Sequence, residues 1–388
     1  MPTSRASTGV PTVRILGTHG VPANYGGFET AAENVALFLR DQGWKVIVYC
    51  QAEGRGPIVT DEWNGIERVT IPVPATGWLG TSRFDLRSIA HASRRPGLCL
   101  TFGYNTAVFN IWQRLKRIPN VINMDGIEWS RARWGKIRQA ILYTNERIAC
   151  VVGDTLIADH PEIEVYLRRK APARKITMIT YGAHRVESAP EAPVRALGLE
   201  PGRYFTLICR PIPENSILEL VTAFSAERRG VELAVFGRYD PESDPYHRAV
   251  VAAASDEVRF VGPVYEPERI AALRLHGLGY FHGHTVGGTN PSLVEAMAAG
   301  NAVLAHDNPY NRWVAQDAAL YFTTAADASE HIARLVADAG LRTQLSAAAR
   351  ERHAAEFTWE HVAGQYRDVL ASYLERTHDD RRTLDPAR

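Results

Sequence analysis

Short apolar runs alternate with amphipathic helical stripes along the first half of the chain. "TVRILG" (12–17) reads as a buried strand, after which Phe28, Ala31, Ala32, Val35, Phe38 and Leu39 fall on one helical face ahead of a second strand, "KVIVYC" (45–50). Strand, helix, strand in that order predicts a right-handed parallel unit. "LCLTF" (98–102), "NVINM" (120–124), "ACVVG" (149–153) and "ITMIT" (176–180) extend the predicted sheet. Residues 182–202, "GAHRVESAPEAPVRALGLEPG", are rich in Pro, Ala and Glu and read as a linker. A second series follows: "YFTLIC" (204–209), the stripe Ile217, Leu220, Val221 and Phe224, then "VELAVFG" (231–237), "VRFVG" (258–262), "LGYFHG" (278–283) and "AVLA" (302–305). The pattern predicts two successive parallel α/β domains, 1–185 and 186–388. From about residue 325 it is wholly helical, and the polar tail "ERTHDDRRTLDPAR" (375–388) is expected to fray.

A chain of 388 residues has room for two domains of ordinary size, and 45% hydrophobic with 22% charged residues is a globular balance. No apolar run approaches the roughly 20 residues of a membrane span, and the opening dozen residues lack a signal-peptide core, so cytoplasm is the expected compartment. Cys50, Cys99, Cys150 and Cys209 have no metal-ligand spacing and read as reduced core residues. Nothing points to nucleic acid, and the oligomeric state is left open. Charge is uneven: residues 1–185 hold 24 Lys+Arg against 15 Asp+Glu, residues 186–388 hold 20 against 28, giving +9 and −8 within a net charge of +1. The basic half either meets an anionic surface or substrate, or reflects ordinary drift of a solvated surface.

Candidate chemistry sits where predicted strands end, the usual place for sites in parallel α/β sheets. In "GHTVGGTNPSLVEAMAAG" (283–300), Asn290 suits a helix cap, Pro291 the first helical position and Gly300 the turn past the end. Leu293, Ala296 and Met297 share an apolar face, which turns Glu295 away from the core. Gly287 and Gly288 ahead of a helix N-terminus would let backbone N–H groups approach an anion. A capped helix with no ligand has the same pattern. "GTHGVPANYGGFET" (17–30), "DGIEWSRARWG" (125–135) and "RPIPEN" (210–215) leave other predicted strands, so four loops would line one cleft.

At these residues the chain resembles the bacterial family-four retaining glycosyltransferases, most of all capsule and exopolysaccharide rhamnosyltransferases. Gly17, Thr18, Gly20, Pro22, Tyr25, Gly26, Gly27, Phe28, Glu29 and Thr30 carry the resemblance, with "DGIEW" (125–129), "RPIPENSILE" (210–219), the 283–300 stretch and "HDNPYNR" (306–312). The resemblance implies two facing Rossmann-like domains, the GT-B architecture, with a helical C-terminal segment. It further implies an acceptor domain followed by a nucleotide-sugar donor domain, with the last helices packing back on the first.

The resemblance assigns roles residue by residue. Gly26 and Gly27 would bring amides to the donor diphosphate, or they form a tight strand-to-helix turn. Arg210 would grip the diphosphate, or pair with Glu214. Glu295 would accept hydrogen bonds from the donor ribose, or stand as an exposed helical carboxylate. Two departures stand out: Gly287 occupies the place of the family's first glutamate, and Asn215 that of its phosphate-binding lysine. Gly288, Thr289 and Asn290, with His282 and His284, would then recognise the sugar, unless the histidines are structural. Asp125 would orient the acceptor hydroxyl or cap a helix. Tyr25, Glu29, Glu128, Trp129 and Arg131 would shape the acceptor side.

These assignments imply sugar transfer with retention, catalysed by Asp125, Arg210 and Glu295, without a cofactor or metal, onto a glycan or lipid-linked diphosphate. "NIWQRLKR" (110–117) and the basic run after Trp129 would hold the protein loosely at an anionic membrane face. A nucleotide-sugar epimerase using Asp125 and Glu29, and a donor-binding pseudoenzyme, are the rival readings.

Overall fold

The computed structural model describes residues 10–23, 26–95, 97–131 and 134–383, with backbone only beyond residue 374. Two compact α/β units emerge. One holds the chain up to Ile179 together with the segment from Trp359 onward; the other is the continuous stretch Thr180–Thr358. Tyr25, expected at the acceptor, lies outside the described residues, as does Arg133 of the basic run.

The first unit is an eight-stranded sheet: β1 (Thr12–Leu16), β2 (Lys45–Glu53), β3 (Val59–Trp63), β4 (Ile66–Val73), β5 (Leu98–Phe102), β6 (Asn120–Asn123), β7 (Thr155–Ala158) and β8 (Ile176–Met178). Their order is β3-β4-β2-β1-β5-β6-β7-β8, parallel except for the β3/β4 hairpin. β1 is central and reads Val13, Ile15 and Leu16 into the core, all essentially inaccessible. Because the chain runs outward from β1 in both directions, the topological switch lies between β1 and β5.

The second unit has six parallel strands: β9 (Tyr204–Ile208), β10 (Glu232–Phe236), β11 (Val258–Gly262), β12 (Gly279–His282), β13 (Ala302–His306) and β14 (Ala319–Phe322). They are ordered β11-β10-β9-β12-β13-β14, so the switch falls between β9 and β12. Ile217, Leu220, Val221 and Phe224, the stripe read from the sequence, pack against Phe205, Leu207 and Phe281 in its core.

Two expectations change, and one element is new. "ACVVG" does not form a strand: Ala149–Val152 close the helix Lys136–Val152, and β7 begins at Thr155. The hairpin β3/β4 was not anticipated, because β3 is exposed along nearly its whole length and has no buried face to give it a period. Residues 182–202 are not a free linker. They belong to the second unit, where Val194 and Leu199 are buried with Tyr204, Ala234 and Phe236. The last helix runs Trp359–Thr383, into the tail expected to fray, of which residues 384–388 lie outside the described residues. That helix returns to the first unit, where the Tyr366 hydroxyl accepts from Asn123 Nδ2 at 2.7 Å and Tyr373 bonds Thr155 at 2.6 Å.

The four cysteines are free. Burial pushes the Cys99 and Cys209 thiols up to about 12 and Cys150 to about 11, which keeps them protonated and inert. No helix among the described residues is long and apolar enough to cross a membrane.

Candidate functional site

In the second unit, three loops leave the carboxyl ends of the adjacent strands β9, β12 and β13, flanking the switch. Each enters a helix: Ile217–Ser225, Pro291–Ala298 and Pro309–Ala315. The capping predicted at Asn290 is present, its side chain accepting from Ser292 N, and Pro291 occupies the first turn. Asn308 caps the next helix through Asn311 N. Three helix starts therefore leave neighbouring strand ends, each offering N–H groups that favour an anion.

The loops are fastened to one another. Thr285 donates from both its amide and its hydroxyl to Glu214 O at 3.0 Å, joining the β12 loop to the β9 loop. Asn308 Nδ2 and Asn311 Nδ2 each donate to His284 O at 2.9 Å, joining β13 to β12. Gly283 sits hard against Asn215 O, where a Cβ would overlap the carbonyl.

Arg210 is exposed directly after β9, and its carbonyl accepts from Asn215 Nδ2 at 2.6 Å. Asn215 is buried and spends its amide on this loop, so it fixes the arginine's backbone rather than reaching a ligand as a lysine would. Gly287 has φ +131°, a conformation side chains rarely adopt, with open space around its Cα. The absence of a glutamate at Gly287 thus matches a backbone that only glycine takes easily. Gly288 and Asn290 are half-buried, whereas Thr289 is buried.

His282 is wholly inaccessible, so it cannot touch a ligand at the rim as expected. Its Nδ1 meets the Tyr280 hydroxyl at 3.0 Å and its ring stacks on His284 with centroids 4.4 Å apart. Burial, and then the neighbouring His284, hold His282 well below the usual imidazole range, so it is neutral at physiological pH. It is a platform under the half-buried His284.

Glu295 turns away from the core as predicted, its side chain 35% exposed. What the sequence did not reveal is its partner. Arg274, from the helix Pro267–Leu275, is buried and ion-paired with Glu295 Oε2. A single arginine on a separate helix carries no local signal of this pairing.

In the first unit, Asp125 follows β6 with φ +53°, a left-handed conformation uncommon outside glycine. Its amide donates to Asn123 Oδ1 at 2.9 Å, and the N-cap of the short helix Glu128–Ser130 that follows is Ile127, not Asp125. Strain held at a strand end is where function concentrates. The residues expected to shape the acceptor are mostly engaged internally. Glu128 is buried, paired with Arg131 at 2.7 Å and bonded by Trp134 Nε1 at 2.9 Å. Trp129 donates to Tyr166 at 2.9 Å and to Glu146 at 3.1 Å. Glu29 is buried and accepts from His19 N at 2.9 Å. It secures the loop between β1 and the helix Gly27–Asp41, with Gly26 as an extended N-cap and Gly27 the first helical residue.

Comparison with known proteins adds to this geometry. Residues 218–368 match a family model described as glycosyl transferase-like, and residues 10–184 match one described as a domain of unknown function, DUF1972. No curated protein matches the chain. Among solved structures it is similar to sucrose-phosphate synthase from Thermosynechococcus elongatus, at 20% identity and a TM-score of 0.74, covering 93% of this chain and 100% of that one. Anabaena HepE in complex with UDP-glucose is similar at 16% identity and 0.74, over 94% and 100% of the two chains. WaaG, a glycosyltransferase involved in lipopolysaccharide biosynthesis, is similar at 15% identity and 0.70, over 92% and 99%.

The fold is therefore that of the two-domain GT-B glycosyltransferases. Within it, the segment 218–368 is glycosyl transferase-like in sequence as well.

Proposed function

We propose that this chain is a retaining glycosyltransferase that takes a sugar, of the 6-deoxyhexose class such as rhamnose, from a nucleoside-diphosphate donor and places it on a lipid-linked glycan acceptor in polysaccharide biosynthesis. The observation that carries the reading is the fastened rim of three helix starts at the switch of the second sheet, with Arg210 on one loop and Glu295 one turn into the helix of the next. The similarity to HepE, solved with UDP-glucose, and to WaaG, named for lipopolysaccharide biosynthesis, supports it.

Arg210, the amides of Gly287, Gly288 and Thr289, and the helix starts bind the diphosphate and stabilise the charge that grows on it as the anomeric C–O bond breaks. The acceptor hydroxyl attacks from the same face and gives its proton to the departing phosphate oxygen; orienting an acceptor hydroxyl is the role we propose for Asp125. Glu295 holds the ribose. No carboxylate nucleophile enters. The epimerase reading needs two carboxylates able to move a ring proton, and Glu29, one of its two candidates, is buried in a bond to His19 N. Incubation with UDP-glucose, GDP-mannose and TDP-rhamnose in turn, without acceptor, is the test. Slow release of nucleoside diphosphate from one donor is expected. An epimerised sugar would establish an isomerase, and binding without turnover a pseudoenzyme.

The membrane side of the reading rests on exposed apolar residues in the first unit. Trp112, Leu115 and Ile137 are 55%, 78% and 80% exposed, next to the exposed cations Arg117, Lys136 and Arg138. Arg114 and Lys116 contribute less than the sequence promised: Arg114 pairs with Asp154 at 2.8 Å, and Lys116 donates to Ser93 O at 3.0 Å. Apolar side chains beside basic ones suit the interface of an anionic bilayer, each cation adding about 1 kcal/mol. Sedimentation should show binding to phosphatidylglycerol-containing vesicles that weakens at high salt and is lost when Arg117, Lys136 and Arg138 become glutamate. Equal partitioning onto neutral phosphatidylcholine vesicles would argue for a soluble acceptor.

A further inference from the structure

Glu295 presents two unlike oxygens. Oε2 is taken by the buried Arg274 guanidinium, whereas Oε1 makes no hydrogen bond to any described residue. Arg274 is itself held by two further bonds, one of them relayed onward. Its Nη2 donates to Ser292 Oγ at 3.1 Å, Ser292 Oγ donates to Ile208 O at 3.2 Å, and the Arg274 carbonyl accepts from Asn301 Nδ2 at 2.7 Å. The guanidinium is thus tied to the end of β9, the strand that also delivers Arg210.

A carboxylate near a nucleoside diphosphate faces a difficulty of sign. Both are anions, and in a partly buried site their repulsion is poorly screened. A guanidinium placed behind the carboxylate cancels that charge while leaving the outward oxygen as a hydrogen-bond acceptor. A buried arginine is rarely left without such an employment, since its desolvation is costly unless paired.

We propose that Arg274 is the positioning residue of the donor site: it fixes the Glu295 carboxylate, offsets its charge against the diphosphate, and reserves Oε1 for a sugar hydroxyl of the nucleoside. Arg274 touches no substrate. The proposal rests on the assignment of Glu295 to the donor ribose, and its test keeps the two apart.

Titration calorimetry would first find which of UDP, GDP, ADP and TDP binds the wild-type protein most tightly, and then compare that compound with its 3′-deoxy counterpart. The wild type should favour the parent about tenfold, the worth of one well-made hydrogen bond to a charged acceptor. In E295Q and R274M the preference should fall below about threefold, mainly through weaker binding of the parent, while the 3′-deoxy compound binds all forms alike. R274K should recover part of the preference. An R274M protein that retains the wild-type preference, or that loses both ligands equally, overturns the positioning role. Retention of the preference in E295Q overturns instead the assignment of Glu295 to the ribose.

Discussion

Replacing Arg210 by methionine is expected to lower kcat for sugar transfer by roughly 10²–10³-fold, the usual result of removing one preorganised donor from developing anionic charge. Arg210 is exposed, and its carbonyl accepts from Asn215 Nδ2 and Ile212 N. Methionine supplies the same carbonyl. With those backbone bonds kept, the loss should appear in the chemical step. Single-turnover transfer from labelled donor, with circular dichroism as the folding control, separates these effects. Arg210→Lys should recover only part of the rate, because an ammonium is a point charge and lacks the planar fork that meets two phosphate oxygens. Wild-type kcat in R210M would remove Arg210 from the catalytic machinery and with it the assignment of the rim to the diphosphate.

Gly283→Ala should be the most damaging single methyl in the second unit. Its added carbon would overlap Asn215 O and press on Leu220 Cδ1 at 3.1 Å, so either β12 or the β9 loop must move. Overpacking of this kind costs about 1–3 kcal/mol and sometimes more. In a unit of this size that lowers the melting midpoint by roughly 3–10 °C. The displaced loop would also strain the two Thr285 bonds to Glu214 O, so nucleotide binding should weaken together with stability. Gly287→Ala makes the instructive contrast: nothing lies within 4 Å of its Cβ, and only the φ of +131° opposes it. Differential scanning calorimetry of the two variants should rank Gly283→Ala as the less stable. The reverse order would mean that the loops are not fastened as described.

The two parallel sheets were legible because their central strands are buried on both faces and so read as continuous apolar runs. The Asn290 cap was legible because capping is local. "ACVVG" misled for the same reason: a short apolar run has no period, and Ala149 and Cys150 are buried from a helix as completely as they would be from a strand. The segment 182–202 looked like a linker because two anchors, Val194 and Leu199, are too few to make a pattern. At the site, strand ends and glycines could be read from the sequence. Which polar side chains were already committed could not, since Glu29 and Trp129 look available in the sequence. His19 N claims the first, and Glu146 with Tyr166 claims the second, only once the chain is folded.

The route of the chain also sets an order of assembly. During synthesis Thr180–Thr358 leaves the ribosome as one uninterrupted stretch and has its whole core in hand, whereas the earlier unit still lacks Val362, Ala363, Tyr366 and Leu370, all buried in the finished protein. Phe102, which lies against Tyr366 with ring centroids 6.1 Å apart, must wait still longer for its cover than Asn123, which lies 243 residues before that tyrosine. The first part made is thus the last part finished, and its incomplete sheet is the surface a nascent chain would offer to a chaperone.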